Sequence, residues 1–477
     1  MEHTAPRRTT LYARVWRWHF FAGLWVAPFG ILLALSGSVY LWNPQIEAAM
    51  QRRMDAGAVR GPAQPEDALV AAAAAHVGGG RLRSYRMPGP DDATVRIEIA
   101  ASSGPQLVWV ERTSARPVYA MASASHPMQV AKRVHGELLT GRFGSTLVEL
   151  AACWMIVLIV SGAYLAWPRQ GGLARALLPR LELRSRPGLR AVHAAAGLWM
   201  GGFVLVFLIS GLPWTGNFGA LFKQVQALTN NAGPGQEFAV TLQSGPAPRH
   251  VESPDGELTL ALRHGAAAPR PAELWSTHEG HHEPSVDVQS ATPPAGAVPI
   301  GLAEIAARAA RESLPPPVEI APPQGENGVW TVRSQVQRRP DRVTVHYDRW
   351  TGEERMRIAF GDQPAVQRAV AYGISFHEGA LFGIANQILG MCIALCVVGL
   401  SASGLAMWWR RRPSGALGAP PLPADRRLGY GLGVLITAFA LLLPLVGASL
   451  LLVLALESLW GRLGPRLAAA RSVSSRA

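Results

Sequence analysis

The sequence predicts an α-helical membrane protein carrying α+β modules outside the bilayer. Three observations lead there. Apolar residues make up 49% of the 477-residue chain, yet they gather in a few long runs. Arginines crowd the short segments between those runs. The runs also recur with identical internal spacings, so the chain reads as internally duplicated, with four core transmembrane helices and a fifth C-terminal hydrophobic helix.

A stretch of about 20 apolar residues crosses roughly 30 Å of hydrocarbon, at about 1.5 Å of rise per residue. Such stretches occupy 19–42, 146–167, 193–214 and 386–409, and a fifth lies at 428–457. The first follows Arg7, Arg8, Arg14 and Arg17; it is too long for a secretory signal and lacks a small-residue cleavage site, so it is read as a mature span. The fifth is interrupted by Pro444 and Gly447. A single crossing there would leave Arg462, Arg466, Arg471 and Arg476 on the outer side, so a dip and return competes with it.

Orientation follows from arginine, which is retained in the cytoplasm when it flanks a span. Segment 168–192 holds Arg169, Arg175, Arg180, Arg184, Arg186 and Arg190, and 410–427 holds Arg410, Arg411, Arg412, Arg426 and Arg427. Both segments and the N-terminus, 1–18, are therefore expected in the cytoplasm, and the larger segments, 43–134 and 215–376, in the periplasm. The net charge of +13 sits largely where an anionic leaflet attracts it and calls for no nucleic acid. The three cysteines, Cys153, Cys392 and Cys396, fall inside predicted spans, so no disulfide framework and no covalent haem attachment motif is expected.

The repeat organises the chain. His19 is followed by Gly23-Leu24-Trp25 and, 17 residues on, by Ser36-Gly37; His193 is followed by Gly197-Leu198-Trp199 and, again 17 residues on, by Ser210-Gly211. His135 precedes Gly141, Ser161-Gly162 and Trp167 by six, 26 and 32 residues, and His377 precedes Gly383, Ser403-Gly404 and Trp409 by the same intervals. Each half thus reads as span, external module, then a periplasmic-edge helix running into a second span, at 135–167 and 377–409. The first module shows a helix at 65–78 and strands at 95–99 and 107–110; the second, at about 299–360, shows a helix near 302–313, strands at 329–336 and 343–347, and a turn at 348–352. The Pro-, Gly- and His-rich stretch 230–299 reads as loop, and 458–477 as a tail.

Ionisable residues at membrane depth are costly and point to function. A single histidine at a span end has an ordinary reading as a headgroup-zone side chain, but these four come in equivalent couples. Topology puts His19 and His193 at the cytoplasmic edge and His135 and His377 at the periplasmic edge. Two imidazoles at one depth on facing helices suit six-coordinate haem iron, so two non-covalent b-type haems are expected. Gly23, Gly30 and Gly37 continue along the face that starts at His19, and Gly197 and Gly211 take the corresponding places after His193, leaving room for a flat ring. His135 lies about 26 residues before its Ser-Gly pair, roughly 39 Å of helix, which places it at or beyond the outer interface, after a break at Gly141. Arg14, Arg17 and Arg190 inside, and Arg133 and Arg142 outside, could pair with haem propionates. His278 and His282, at i and i+4, could bind a metal if helical, although the surrounding composition favours a solvated loop. No glycine-rich phosphate loop precedes a helix, so nicotinamide and flavin have no evident home. The electron donor is then another molecule, a membrane quinol or a cytosolic reductase.

The segments WRWHFFAGLW…LSGSVYLW, HGELLTGRFG…SGAYLAWPR, HAAAGLW and HEGALFG…SGLAMWWRRR resemble the PepSY-associated transmembrane family of bacteria, which includes iron-uptake-linked siderophore reductases. The resemblance covers nearly the whole chain, more faintly in the external modules. It implies a bacterial inner-membrane oxidoreductase that passes single electrons to a ferric siderophore in the periplasm, with His19, His135, His193 and His377 as haem ligands. Competing readings are a non-redox, membrane-anchored PepSY binding or regulatory protein, and a haem- or metal-handling protein.

Overall fold

The computed structural model describes residues 10–169, 172–180, 182–229, 298–325, 328–415, 417–420, 430–453 and 455. They fall into two compact units, one from 1–36, 135–224 and 391–477, the other from 37–134 and 225–390.

The first unit is helical. Among the described residues four helices are long and apolar enough to cross a membrane: α1 (Thr10–Leu41), α5 (Arg142–Ala166), α7 (Arg186–Gly211) and α11 (Ile384–Trp409). Local chemistry fixes their starts. The Ser185 side chain accepts from the Gly188 N–H at 3.2 Å, with Pro187 in the first turn of α7. Ahead of α5, the short helix α4 (Pro127–Glu137) ends and the chain turns through positive φ at Leu138, Leu139 and Gly141. That turn is tight: a Cβ on Gly144 would stand 1.8 Å from the Glu137 carbonyl oxygen, so only glycine fits. Gly383, at φ +59°, marks the start of α11 in the same way.

Within this unit the helices close on one another at small residues, as lipid-embedded helices do. A Cβ on Gly30 of α1 would meet Ser401 Oγ at 3.1 Å and Met155 Cε at 3.2 Å. Glu149, 1% exposed inside α5, accepts from the backbone N–H groups of Asn217 (2.8 Å) and Phe218 (2.9 Å) at the start of α8 (Gly216–Leu228). A carboxylate buried in a span is tolerable there because it meets the positive end of a helix dipole. The predicted fifth span, 428–457, is not one continuous helix. It is α12 (Tyr430–Leu442) followed by the shorter apolar helix α13 (Pro444–Val453), because Pro444 supplies no N–H to continue the ladder. Leu443 and Val446 pack with Cys153, Ile156 and Leu212, and Trp154 Nε1 donates to Ser449 Oγ at 3.1 Å.

The second unit holds an eight-stranded antiparallel sheet in the order β4-β3-β2-β1-β5-β6-β7-β8. The same sequence of elements occurs twice. α3 (Glu66–His76) leads into β1 (Arg81–Arg86), β2 (Thr94–Ala101), β3 (Gly104–Glu111) and β4 (Pro117–Ala122). α9 (Leu302–Arg311) leads into β5 (Val318–Ala321), β6 (Trp330–Ser334), β7 (Val343–Tyr347) and β8 (Glu354–Ala359). The two modules are one sheet, joined where Tyr85 pairs with Ile320 and Arg86 with Glu319. Period-2 alternation turns Ile97, Ile99, Val108, Val110, Ile320, Val332 and Val345 to one face, where Leu69 and Ala73 of α3 and Ile305 and Ala309 of α9 cover them.

Ion pairs tie α2 (Asn43–Asp55) to this sheet. Glu47 faces Arg86 at 3.1 Å and Arg96 at 3.0 Å, and Arg96 reaches across the seam to Glu319 at 3.1 Å. Burial pushes the Glu47 carboxyl up, but the charges of Arg96, His126 and Arg86 together hold it below its usual range. In the predicted turn, Asp348 accepts from the Trp350 (2.7 Å) and Thr351 (3.0 Å) N–H groups and pairs with Arg355 at 2.7 Å.

Two predictions concern stability. Ile320, 0% exposed at the seam, leaves a cavity on truncation; Ile320→Ala should cost about 3 kcal/mol, read as a lower denaturation midpoint of the full chain. His346 of β7, 1% exposed, has its Nδ1 3.0 Å from Thr331 Oγ1. Burial, reinforced by the Arg333 charge, pushes its pKa from 6.5 down to about 4. The folded protein therefore keeps it neutral, and the stability it confers is complete above about pH 6.5 and declines as the pH falls toward 4, by roughly 3 kcal/mol in total. His346→Gln should flatten the stability profile between those values, and parallel profiles for both proteins would remove His346 as the cause.

Candidate functional site

Three of the four sequence-selected histidines lie in the helical unit, and each meets a serine on another helix. His19 of α1 places Nδ1 2.9 Å from Ser161 Oγ of α5. His193 of α7 places Nδ1 2.8 Å from Ser403 Oγ of α11. His135, near the end of α4, places Nδ1 3.1 Å from Ser36 Oγ and 3.0 Å from the Leu33 carbonyl of α1.

The tautomer of each ring follows from who can donate. A hydroxyl has one proton, and each serine has a carbonyl of its own helix within reach to take it: Leu158 O at 3.2 Å from Ser161, Leu400 O at 3.1 Å from Ser403, Leu32 O at 2.8 Å from Ser36. With the proton directed to that carbonyl, Oγ accepts and Nδ1 carries the hydrogen. The Leu33 carbonyl imposes the same answer on His135, since a carbonyl never donates. In a neutral imidazole with Nδ1 protonated, Nε2 holds the lone pair, which is the donor a metal takes.

The residue after each serine completes the geometry. A Cβ on Gly162 would stand 3.1 Å from His19 Cε1, and one on Gly404 3.8 Å from His193 Cε1. Gly23 and Gly197, selected from the sequence as ring-clearing positions, instead face Leu158 and Leu400 at 3.8 and 3.9 Å for an added Cβ, an ordinary helix-packing distance.

The candidate propionate partners are dispersed. Arg17 donates to the Pro420 carbonyl and lies 4.9 Å over the Phe21 ring. Arg14 stands half-buried on α1, while Arg190, Arg133 and Arg142 are exposed. Arg411, read from the sequence only as a cytoplasmic flanking arginine, lies over Trp16 (5.2 Å) and Phe20 (4.7 Å) of α1, the second of which follows His19 in the chain.

His377 belongs to the second unit, at the end of α10 (Ala365–His377). Its neighbour Glu378 pairs with Arg339 at 3.1 Å, and burial, which raises its pKa, is outweighed by Arg339, Lys132, Arg342 and His377, so the carboxyl lies below its usual range. His278 and His282 fall outside the described residues. Among the described residues no group of three or more His, Cys, Asp or Glu side chains could hold a metal ion alone.

Four spanning helices together with an antiparallel sheet unit define an integral membrane protein with a folded extramembrane part. A family model described as the PepSY-associated TM region matches residues 16–411, and the chain belongs to that family. No curated protein matches the chain.

Crowding at the histidine is directly testable. Gly162→Val should cost about 1–3 kcal/mol by forcing the His19 ring aside. Gly399→Ala, where an added Cβ meets nothing within 4 Å, should leave the melting temperature of the full chain unchanged.

Proposed function

We propose that this chain is a di-haem oxidoreductase of the bacterial inner membrane that carries single electrons across the bilayer to a ferric siderophore in the periplasm. The observation that supports it most is the set of three histidines, each held through Nδ1 by a serine or carbonyl of another helix. That donor set suits axial ligation of haem, and Gly162 beside His19 leaves the ring unobstructed. The first haem falls to His19 and His193. The second falls, by the sequence repeat, to His135 and His377. Bound haem supplies a one-electron Fe(III)/Fe(II) couple.

The chain's own part is to hold the imidazoles, set their tautomers and keep lipid and water from them. Arginine in the short segments supports a cytoplasmic His19 edge and a periplasmic sheet unit, and the recurrence of span, module and span supports an ancestral duplication. The siderophore is inferred from the iron-uptake members of the family. Hard oxygen donors hold ferric ion far more tightly than ferrous, so adding one electron loosens the metal without hydrolysing the chelator. The electron comes from a membrane quinol or a cytosolic reductase.

Purified protein supplied with haem should show b-type spectra that sharpen on dithionite reduction. His19→Ala and His193→Ala should each remove the same haem and abolish reduction of a ferric hydroxamate. A preparation that stays colourless in the presence of haem, or a His193→Ala variant that keeps both haems, would reject the proposal.

A further inference from the structure

The serine contacts have a pattern of their own. Each joins a histidine to the serine of a Ser-Gly pair on a different helix, and in the first half of the chain the exchange is reciprocal. α1 gives His19 to Ser161 and receives His135 at Ser36. The second half shows the same bond between His193 and Ser403. Serine is an uncommon choice for this task, since metal-bound histidines often donate their second nitrogen to a carboxylate or a backbone carbonyl.

We infer that Ser161 and Ser403 are positioning residues that lock His19 and His193 as Nδ1–H tautomers and keep each ligand a neutral imidazole, while for His135 the Leu33 carbonyl at 3.0 Å shares that task with Ser36. Two physical consequences separate this from simple packing. Without Ser161, the His19 Nδ1–H loses its hydroxyl acceptor within the apolar span, so the ring can exchange to the Nε2–H form. A carboxylate in the serine's place would draw the proton and make the ligand more basic, stabilising ferric iron and lowering the potential; a neutral hydroxyl does not. With the hydroxyl proton directed to the Leu158 or Leu400 carbonyl, the serine neither takes nor releases a proton. The identity of the iron centre rests on the function proposed above, whereas the tautomer lock does not.

The test uses the full-length chain with isotope-labelled histidine, the His19 signals being assigned by their loss in His19→Ala. In the haem-free protein, nitrogen NMR should show the Nδ1–H tautomer for wild type and Ser161→Thr, which retains a hydroxyl, and a shift toward Nε2–H in Ser161→Ala. In the haem-loaded protein the midpoint potential should be unchanged by Ser161→Thr, shifted by Ser161→Ala and lowered by Ser161→Asp. The same comparison for Ser403 and His193 makes the result independent of whether one variant folds. Nitrogen signals and potential unchanged in both alanine variants would overturn the inference. A chain whose tautomer responds to Ser161 but which takes up no haem would uphold the serine assignment and reject the haem.

Discussion

An imidazole placed among lipid-facing helices must find its hydrogen-bond partners inside the protein, because no water is at hand to complete them. In this chain the requirement is met by serines whose own protons are already committed to the backbone, and much of the helical unit serves that bond. Glycines follow the serines and leave space for the rings, while other glycines let the helices approach closely enough for a bond under 3 Å between them. The result is a set of imidazoles whose orientation is held by bonds between helices.

The same economy governs the other buried polar groups. Glu149 closes the N-terminus of α8, Glu47 pairs with Arg86 and Arg96, and Glu378 is surrounded by Arg339, Lys132 and Arg342. In each case opposite charge or oriented N–H groups replace the lost hydration. Little of this network is needed to span a membrane, and it marks the places where the apolar pattern gives way to defined polar geometry.

The parts of the fold that could be read from the chain are those decided by composition over many residues. The runs at 19–42, 146–167, 193–214 and 386–409 lie in α1, α5, α7 and α11, since the cost of exposing polar backbone to lipid leaves no other structure open to them. Strand alternation marked β2, β3, β6 and β7. Four strands escaped notice: β1 is Arg-Leu-Arg-Ser-Tyr-Arg, β4 opens on Pro117, β5 is four residues behind a proline run, and β8 begins Glu-Arg. Their conformation comes from pairing with neighbours rather than from their own pattern. The serines are a different case. Their fixed distances from the histidines were visible in the repeat, but a spacing along one helix does not say which side chain it meets on another.

The seam between β1 and β5 sets limits on how the molecule can be dismantled. Among the described residues β4 and β8 form the ends of the joined sheet; Pro117 blunts the first, and Glu354, Arg355 and Arg357 charge the second. The other described strand edges are paired internally. Either module alone would bare an unprotected ladder along β1 or β5 and invite pairing with another copy of itself. Each module thus shields the other from self-association, which gives the joined architecture a reason to persist apart from any chemistry it performs.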